Sequence, residues 1–207
     1  MTNDEAYAAG MLTRALDPSS QPEAIRDFLR AEELLVEDPV PRRARVVDFG
    51  CGTGRHLIGL RDRISLGVGI DYERTYIAEA MTCQPGRPLH FLVADATAVP
   101  LDTEFDVALC LTNTWGTMSD KLAVLGEMRR LAPKPGTRII SVFAPASVEA
   151  RCEWYANLGY DVTEVTDEHV VTEGGFSSEH FSEDRLRSLV GACELHPIGD
   201  VAYVVQA

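Results

Sequence analysis

Val46-Val47-Asp48-Phe49-Gly50-Cys51-Gly52-Thr53-Gly54 is the stretch on which the fold reading turns. An apolar run ends in an acid, and a G-x-G-x-G turn follows before a helical pattern begins at Arg55. Glycine is needed where a chain turns sharply and where its backbone must be approached without a Cβ in the way. Outward from this turn, the runs Arg45–Phe49, Leu66–Ile70, Leu89–Val93, Phe105–Leu111 and Thr137–Phe143 read as buried strands. Between them, Arg55–Ile64, Glu73–Met81 and Ser119–Ala132 read as helices, the last with Leu122, Leu125, Met128 and Ala132 on one side. Pro135-Gly136 marks the turn into the fifth strand. Strands apolar throughout and joined by helices predict a doubly wound parallel sheet covered on both faces, with its ligand at the carboxyl ends of the strands.

The flanks complete the α/β reading as one domain over residues 1–207. Residues 1–38 read as two helices. Ser20-Gln21-Pro22-Glu23 has capping-box spacing ahead of the second, and Ile25, Phe28, Leu29, Leu35 and Val36 lie on one face before Pro39 and Pro41 end it. After Phe143 the rhythm changes. Ser147–Leu158 reads as a helix, Val162–Val165 and His169–Thr172 as a hairpin, and Gly174-Gly175 as a break. Ser182 is placed to cap a helix over Ser182–Val190. Leu195–Ile198 and Val201–Val205 flank the tight turn Gly199-Asp200. The expectation is therefore a seven-stranded, mostly parallel sheet with an antiparallel terminal strand. Residues 145–181 are expected to form a small cap insertion over its ligand end.

The residues at the predicted strand ends suit a nucleoside. Asp71 ends the second strand, where a carboxylate can accept from ribose hydroxyls. Tyr72 follows and can lie against a purine. Asp95-Ala96 follows the third strand, and Leu111-Thr112-Asn113 the fourth. A dinucleotide fingerprint needs glycine where this chain has Arg55, and Asp48 is an odd neighbour for a pyrophosphate. S-adenosylmethionine carries a sulfonium and an ammonium and no phosphate, so nearby carboxylates help it.

VVDFGCGTG, GVGIDY, VADATAVP, FDVALCLTNTWGTM and EMRRLAPKPGTRIISVF stand in this order along the chain. The series resembles class I (Rossmann-like) S-adenosylmethionine-dependent methyltransferases over residues 40–144, and more loosely in the terminal strands. The resemblance implies that Asp48, Gly50, Gly52 and Gly54 shape the methionine and ribose pocket, and that Asp71 holds the ribose. It also implies that Asp95 and the Ala96 backbone read the adenine, and that Asn113 faces the sulfonium. The stretches 113–118 and 175–181 are similar to a subgroup of small bacterial methyltransferases with small-molecule substrates.

Composition narrows the partners. The 207 residues are 45% hydrophobic and 25% charged, and none of the apolar runs is long enough for a membrane span. The net charge of −13 divides into −6 over residues 1–38, +2 over 39–144 and −9 over 145–207. An acidic chain without a basic stripe argues against a nucleic-acid partner or an anionic membrane surface. The acidic start Met1-Thr2-Asn3-Asp4-Glu5 lacks the basic-then-apolar order of a secretory leader, so a cytoplasmic protein is expected. Five cysteines, at 51, 83, 110, 152 and 193, form no C-x-x-C pair and read as reduced, mostly buried thiols. No metal-ligand cluster is apparent, and the oligomeric state is left open.

Methyl transfer is a displacement at an activated carbon, so most of the work is positioning. Among five histidines His180 is the best base candidate, beside Ser178 and two aromatics; His56 falls on the first helix after the glycine turn, and His90, His169 and His196 in strand runs. Trp154 or Tyr155 can cover a sulfonium by cation–π attraction, and Tyr7 can close the pocket from the other side. The C-terminal charge favours an amine or amino-acid acceptor. Two alternatives stand beside methyl transfer. Asn113, Tyr155, Ser178 and His180 can instead fold the methionine moiety back for cyclisation to azetidine-2-carboxylate and methylthioadenosine. A non-catalytic sensor of the cofactor keeps the pocket without the chemistry.

Overall fold

The computed structural model describes residues 3–83 and 88–207, apart from the Cys83 side chain, so the expected burial of that thiol lies outside the described residues. Strands β1 (Arg45–Phe49), β2 (Leu66–Asp71), β3 (Leu89–Val93), β4 (Val107–Cys110) and β5 (Thr137–Phe143) run parallel in the order β3-β2-β1-β4-β5. Strands β6 (Val162–Val165), β7 (His169–Thr172) and β8 (Ser177–Glu179) form a separate antiparallel sheet. The hairpin was legible in the sequence and its third strand was not. The chain then returns through β9 (Glu194–Ile198) and β10 (Ala202–Gln206). Strand β10 inserts antiparallel between β5 and β9 and completes the expected seven strands. Register pairs Asp48 with Gly69 on one side and Leu109 on the other, so the acid stands where the strand order reverses. That crevice is where an open α/β sheet takes its ligand.

Nine α-helices occur among the described residues. The first, α1 (Asn3–Ala8) and α2 (Met11–Ala15), correct the expectation of a single helix before residue 20, because Gly10 lies between them in left-handed conformation, φ 78°. Next comes α3 (Glu23–Glu37), whose expected capping box does not form. Pro22 occupies the N-cap, and the Ser20 hydroxyl donates to the Arg14 and Asp17 carbonyls instead. After β1 and β2 come α4 (Arg55–Leu60) and α5 (Arg74–Cys83), and after β4 the short α6 (Thr114–Thr117) and α7 (Lys121–Leu131). Val124, Leu125, Met128 and Leu131 are the buried residues of α7, while Leu122, expected on its inner side, is 62% exposed. The last two are α8 (Val148–Asn157) and α9 (Glu183–Val190), and Ser182 caps α9 by accepting from the Arg185 N–H.

Two core layers clothe the sheet. Val46 packs with Phe28 and Val36 of α3, Leu57 of α4 and Trp154 of α8. Val47 and Phe49, of opposite parity on the strand, pack with Leu125 and Met128 of α7 and Leu186 of α9. The N-terminal helices thus belong to the main core. No described helix is long and apolar enough to cross a membrane.

Candidate functional site

A cavity of about 680 Å³ lies at the carboxyl ends of the parallel strands, lined by the segments that follow β1, β2, β3 and β4. Tyr7 of α1, Tyr76 of α5, and Ser177 and Glu179 of β8 also border it. A second, small cavity of about 30 Å³ shares Leu12, Gly50, Thr112 and Thr114 with the first and reaches inward to Asp48.

The glycine turn is held open by conformation and by neighbours. Gly50, Gly52 and Gly54 all have positive φ. A Cβ on Gly50 would stand 2.3 Å from Thr114 Cγ2, and one on Gly52 equally close to Leu12 Cδ2. Side chains of α6 and α2 therefore take up the room these two glycines leave, and Gly54 faces Phe91, away from both cavities. Asp71 fastens the turn to β2: one oxygen accepts from the Gly52 N–H and the other from the Glu73 N–H, both at 2.9 Å. Burial raises its pKa above the usual carboxylate range. Asp95 accepts from both the N–H and the hydroxyl of Thr97. Asp71, Tyr72, Asp95 and Ala96 all line the main cavity, whereas Asp48 and Gly52 line only the small one. Tyr7 also borders the main cavity, packs edge-on to Tyr72 and Phe176, and donates from its hydroxyl to Thr117 Oγ1. Burial pushes its phenol far up, so it stays neutral. Burial likewise raises the Cys51 thiol, which suits a filler and not a nucleophile.

The four residues expected to do chemistry lie elsewhere. Asn113 is buried with φ 56°, its Oδ1 accepting from the Phe143 N–H and its Nδ2 donating to the Glu179 carbonyl. The amide thereby ties β5 to β8 and is not on either cavity wall. Tyr155, Ser178 and His180 are brought together, but around the fully buried Arg151, which sequence reasoning passed over. Its guanidinium donates to the Ser178 carbonyl at 2.5 Å, to Ser178 Oγ, and to His180 Nδ1 at 3.1 Å. Tyr155 shares Ser178 Oγ at 2.5 Å. Burial, and then the Arg151 charge, lowers the imidazole pKa. Tyr155, Ser178 and His180 Nδ1 are thus committed within the protein, off both cavity walls, because a buried guanidinium must gather acceptors. Trp154 packs in the core with Phe143 and does not reach the cavity.

Two residues that matter most to the site were missed. Asn3 donates to the Thr117 and Ser177 carbonyls and accepts from the Ser177 N–H, latching α1 across the cavity. Glu32 is fully buried, and its carboxylate accepts from the Thr112 N–H and hydroxyl, the Ser141 hydroxyl and Arg55, with His56 Nε2 at 3.3 Å. Burial would raise Glu32, but His56, Arg55 and Ser141 outweigh it and hold the acid at about 2. A signal existed: residue 32 falls on the apolar face set by Ile25, Phe28, Leu29 and Val36, and a charge there needs a buried partner.

The profile of the family described as "Methyltransferase domain" matches residues 46–136. That match takes in β1 to β4 and spans less than half of the chain. Demethylmenaquinone methyltransferase of Roseiflexus castenholzii is 31% identical over 99 residues, which is 47% of this chain. The chain spans 42% of the length of that curated relative. Among solved structures, the PH0226 protein of Pyrococcus horikoshii OT3 superposes with a TM-score of 0.71 at 18% identity, covering 89% of this chain and 91% of the other. A Thermotoga maritima protein described as a "possible histamine N-methyltransferase" does so with 0.63 at 21% identity, covering 88% and 89%. At these identities the likeness is one of fold.

The main cavity has a donor set that suits a cationic nucleoside. Asp4, Asp71, Asp95, Asp120 and Glu179 line the main cavity, and no Lys, Arg or His stands among its described lining residues. Lys121 and Arg185 both pair with Glu179, leaving the four aspartates as the negative groups of that wall. Asp48 Oδ2 is buried without a hydrogen-bond partner, an orphan that a cationic ligand would satisfy.

Proposed function

We propose that this protein transfers the methyl group of S-adenosylmethionine to a small-molecule acceptor bearing an amine, in the 680 Å³ cavity at the carboxyl end of its sheet. The observation that carries this reading is the cavity's lining: five carboxylates and no basic side chain among the described residues. The volume lies within the usual range of about 300–1,000 Å³ for small-ligand sites, which favours a small acceptor over a macromolecular one. The description of the Thermotoga maritima neighbour names an amine as well.

The bound cofactor supplies a methyl group on a positively charged sulfur. The chain's residues supply the rest. Asp71 is offered to the ribose hydroxyls, Asp95 and the Ala96 N–H to the adenine, and the Tyr72 ring to the purine face. Tyr7, kept neutral, presents an aromatic surface that attracts the sulfonium. An amine must lose its proton before its lone pair can attack, and the exposed carboxylates Asp4 and Asp120 on the wall give that proton a place to go. The cyclisation reading draws no support, because Asn113, Tyr155 and Ser178 are off the cavity wall.

The test is incubation with S-adenosylmethionine and a panel of amines, amino acids, phenols and a demethylmenaquinone, with products followed by mass spectrometry. S-adenosylhomocysteine formed with an amine acceptor is the expected result. Methylation confined to phenols or the quinone would overturn the amine class. Methylthioadenosine formed without an acceptor would revive cyclisation, and cofactor binding without any product would leave a sensor.

A further inference from the structure

Asp48, on the wall of the small cavity, and Glu32 are two buried carboxylates that feel one another's charge, and only Glu32 has an arginine partner. Glu32 takes Arg55 at 2.9 Å and has His56 at 3.3 Å, and the second arm of Arg55 goes to Glu33 at 2.6 Å. Asp48 forms no ion pair among the described residues, and its Oδ2 has no partner at all. The groups that face Asp48 come from every neighbouring element: Glu32 of α3, Asp71 at the end of β2, Arg55 and His56 of α4, Cys51 of the glycine turn and Cys110 of β4. Of these, Arg55 is the cation that acts on it, and Arg55 already belongs to Glu32.

We propose that Glu32 is a positioning residue for the cofactor site: by claiming Arg55 and His56 it leaves Asp48 protonated until a cationic ligand enters, so that cofactor binding expels one proton from Asp48 to solvent. The inference rests on the methyltransferase reading. It is carried by the orphaned Oδ2, by the committed cations and by the small cavity that Asp48 itself lines. Burial first, then the charges of Glu32 and Asp71, raises Asp48 well above the ordinary carboxylate range, in agreement with this geometry. Charge balances: a neutral carboxyl and a cation become a carboxylate paired with that cation, and the proton goes to buffer. Glu32 touches no ligand in this scheme; it acts by fixing Thr112, which lines both cavities, and by setting the charge of its neighbour.

The experiment is calorimetric titration of the full chain with S-adenosylmethionine between about pH 5.5 and 7, below the range near 7.7–8.0 where an α-amine titrates. Repeating it in buffers of different ionisation heat counts the protons released. The wild type is expected to release one proton, with affinity rising up to about tenfold per pH unit where Asp48 is protonated in the free protein. Glu32→Gln should shift that rise to lower pH, and Arg55→Gln, which removes the one cation acting on Asp48, should shift it to higher pH. Opposite shifts are not what a merely structural role of either residue would produce, and if one variant fails to fold the other still decides. Asp48→Asn should release nothing. Binding without proton release in the wild type, or release that persists in Asp48→Asn, overturns the proposal while leaving the methyltransferase reading intact. No binding at any pH would instead strike that reading.

Discussion

Asp71 spends an oxygen on each of two backbone N–H groups before any ligand arrives. Under the proposed function it has two duties, ordering the glycine turn and accepting from a ribose. Removing hydrogen bonds to a charged group costs about 1.5–3 kcal/mol. Asp71→Ala is accordingly expected to weaken S-adenosylmethionine binding by about 10- to 100-fold. Calorimetry showing an unchanged Kd would dismiss Asp71 from the site. His180 has a different consequence. Burial and Arg151 lower its folded pKa below the unfolded value, so the unfolded chain binds the extra proton as pH falls. The stability this neutral imidazole contributes is complete above the unfolded value near 6.5 and is lost as pH drops through the folded one. Melting temperatures measured from about pH 8 to 5 should fall at the acid end. His180→Gln should flatten that slope, and an identical slope in the variant would place the acid sensitivity elsewhere.

The first helix, α1, is a strap with little core of its own: Ala6 is its one buried residue among those described. Its hold on the cavity is the Asn3 side chain, which spans 114 residues to Thr117 and 174 to Ser177. Tyr76 adds a second tie, donating to the Tyr7 carbonyl at 2.7 Å and accepting from the Leu12 N–H at 3.1 Å. Asn3→Ala should leave the melting temperature nearly unchanged and speed amide exchange in α1, with weaker cofactor binding as the functional readout. Exchange confined to wild-type rates would show that the latch is not what orders the strap. The glycine turn responds in the opposite way. Gly50 combines φ 68° with a 2.3 Å encounter between an added Cβ and Thr114, so Gly50→Ala should cost about 1–3 kcal/mol in urea unfolding.

The whole molecule carries a net charge of −13, concentrated in its two flanks. Both flanks contribute to the cavity wall, Asp4 from one and Glu179 from the other. The field of such a wall concentrates cations and is screened within about 8–10 Å at physiological salt. If the acceptor is an amine, its KM should rise with ionic strength while kcat holds steady. Salt-independent KM values would remove electrostatic attraction from the account. The N-terminal flank is also structural. Ile25, Phe28 and Val36 sit in the same layer as Val46 and Leu57, and Phe28→Ala should cost about 3–5 kcal/mol.

What the sequence determined by itself was the sheet and its reading frame. The five parallel strands, the turn at 50–54 and the capped α9 follow from local periods and from residues whose backbone preferences act within a few positions. The same locality made Asp71, Tyr72, Asp95 and Ala96 legible as cavity residues, since each directly follows or ends a strand. Tertiary structure alone decided which polar side chains remain free to meet a ligand. Tyr155, Ser178 and His180 looked available in sequence, yet Arg151 claims them. Glu32 was passed over in the sequence, yet it reaches Thr112 and Ser141, 80 and 109 residues away. The reason is physical: a strand or helix is specified by neighbours along the chain, whereas a buried charge is satisfied by whatever the folded core brings within hydrogen-bond reach, and its partners leave no local periodic trace.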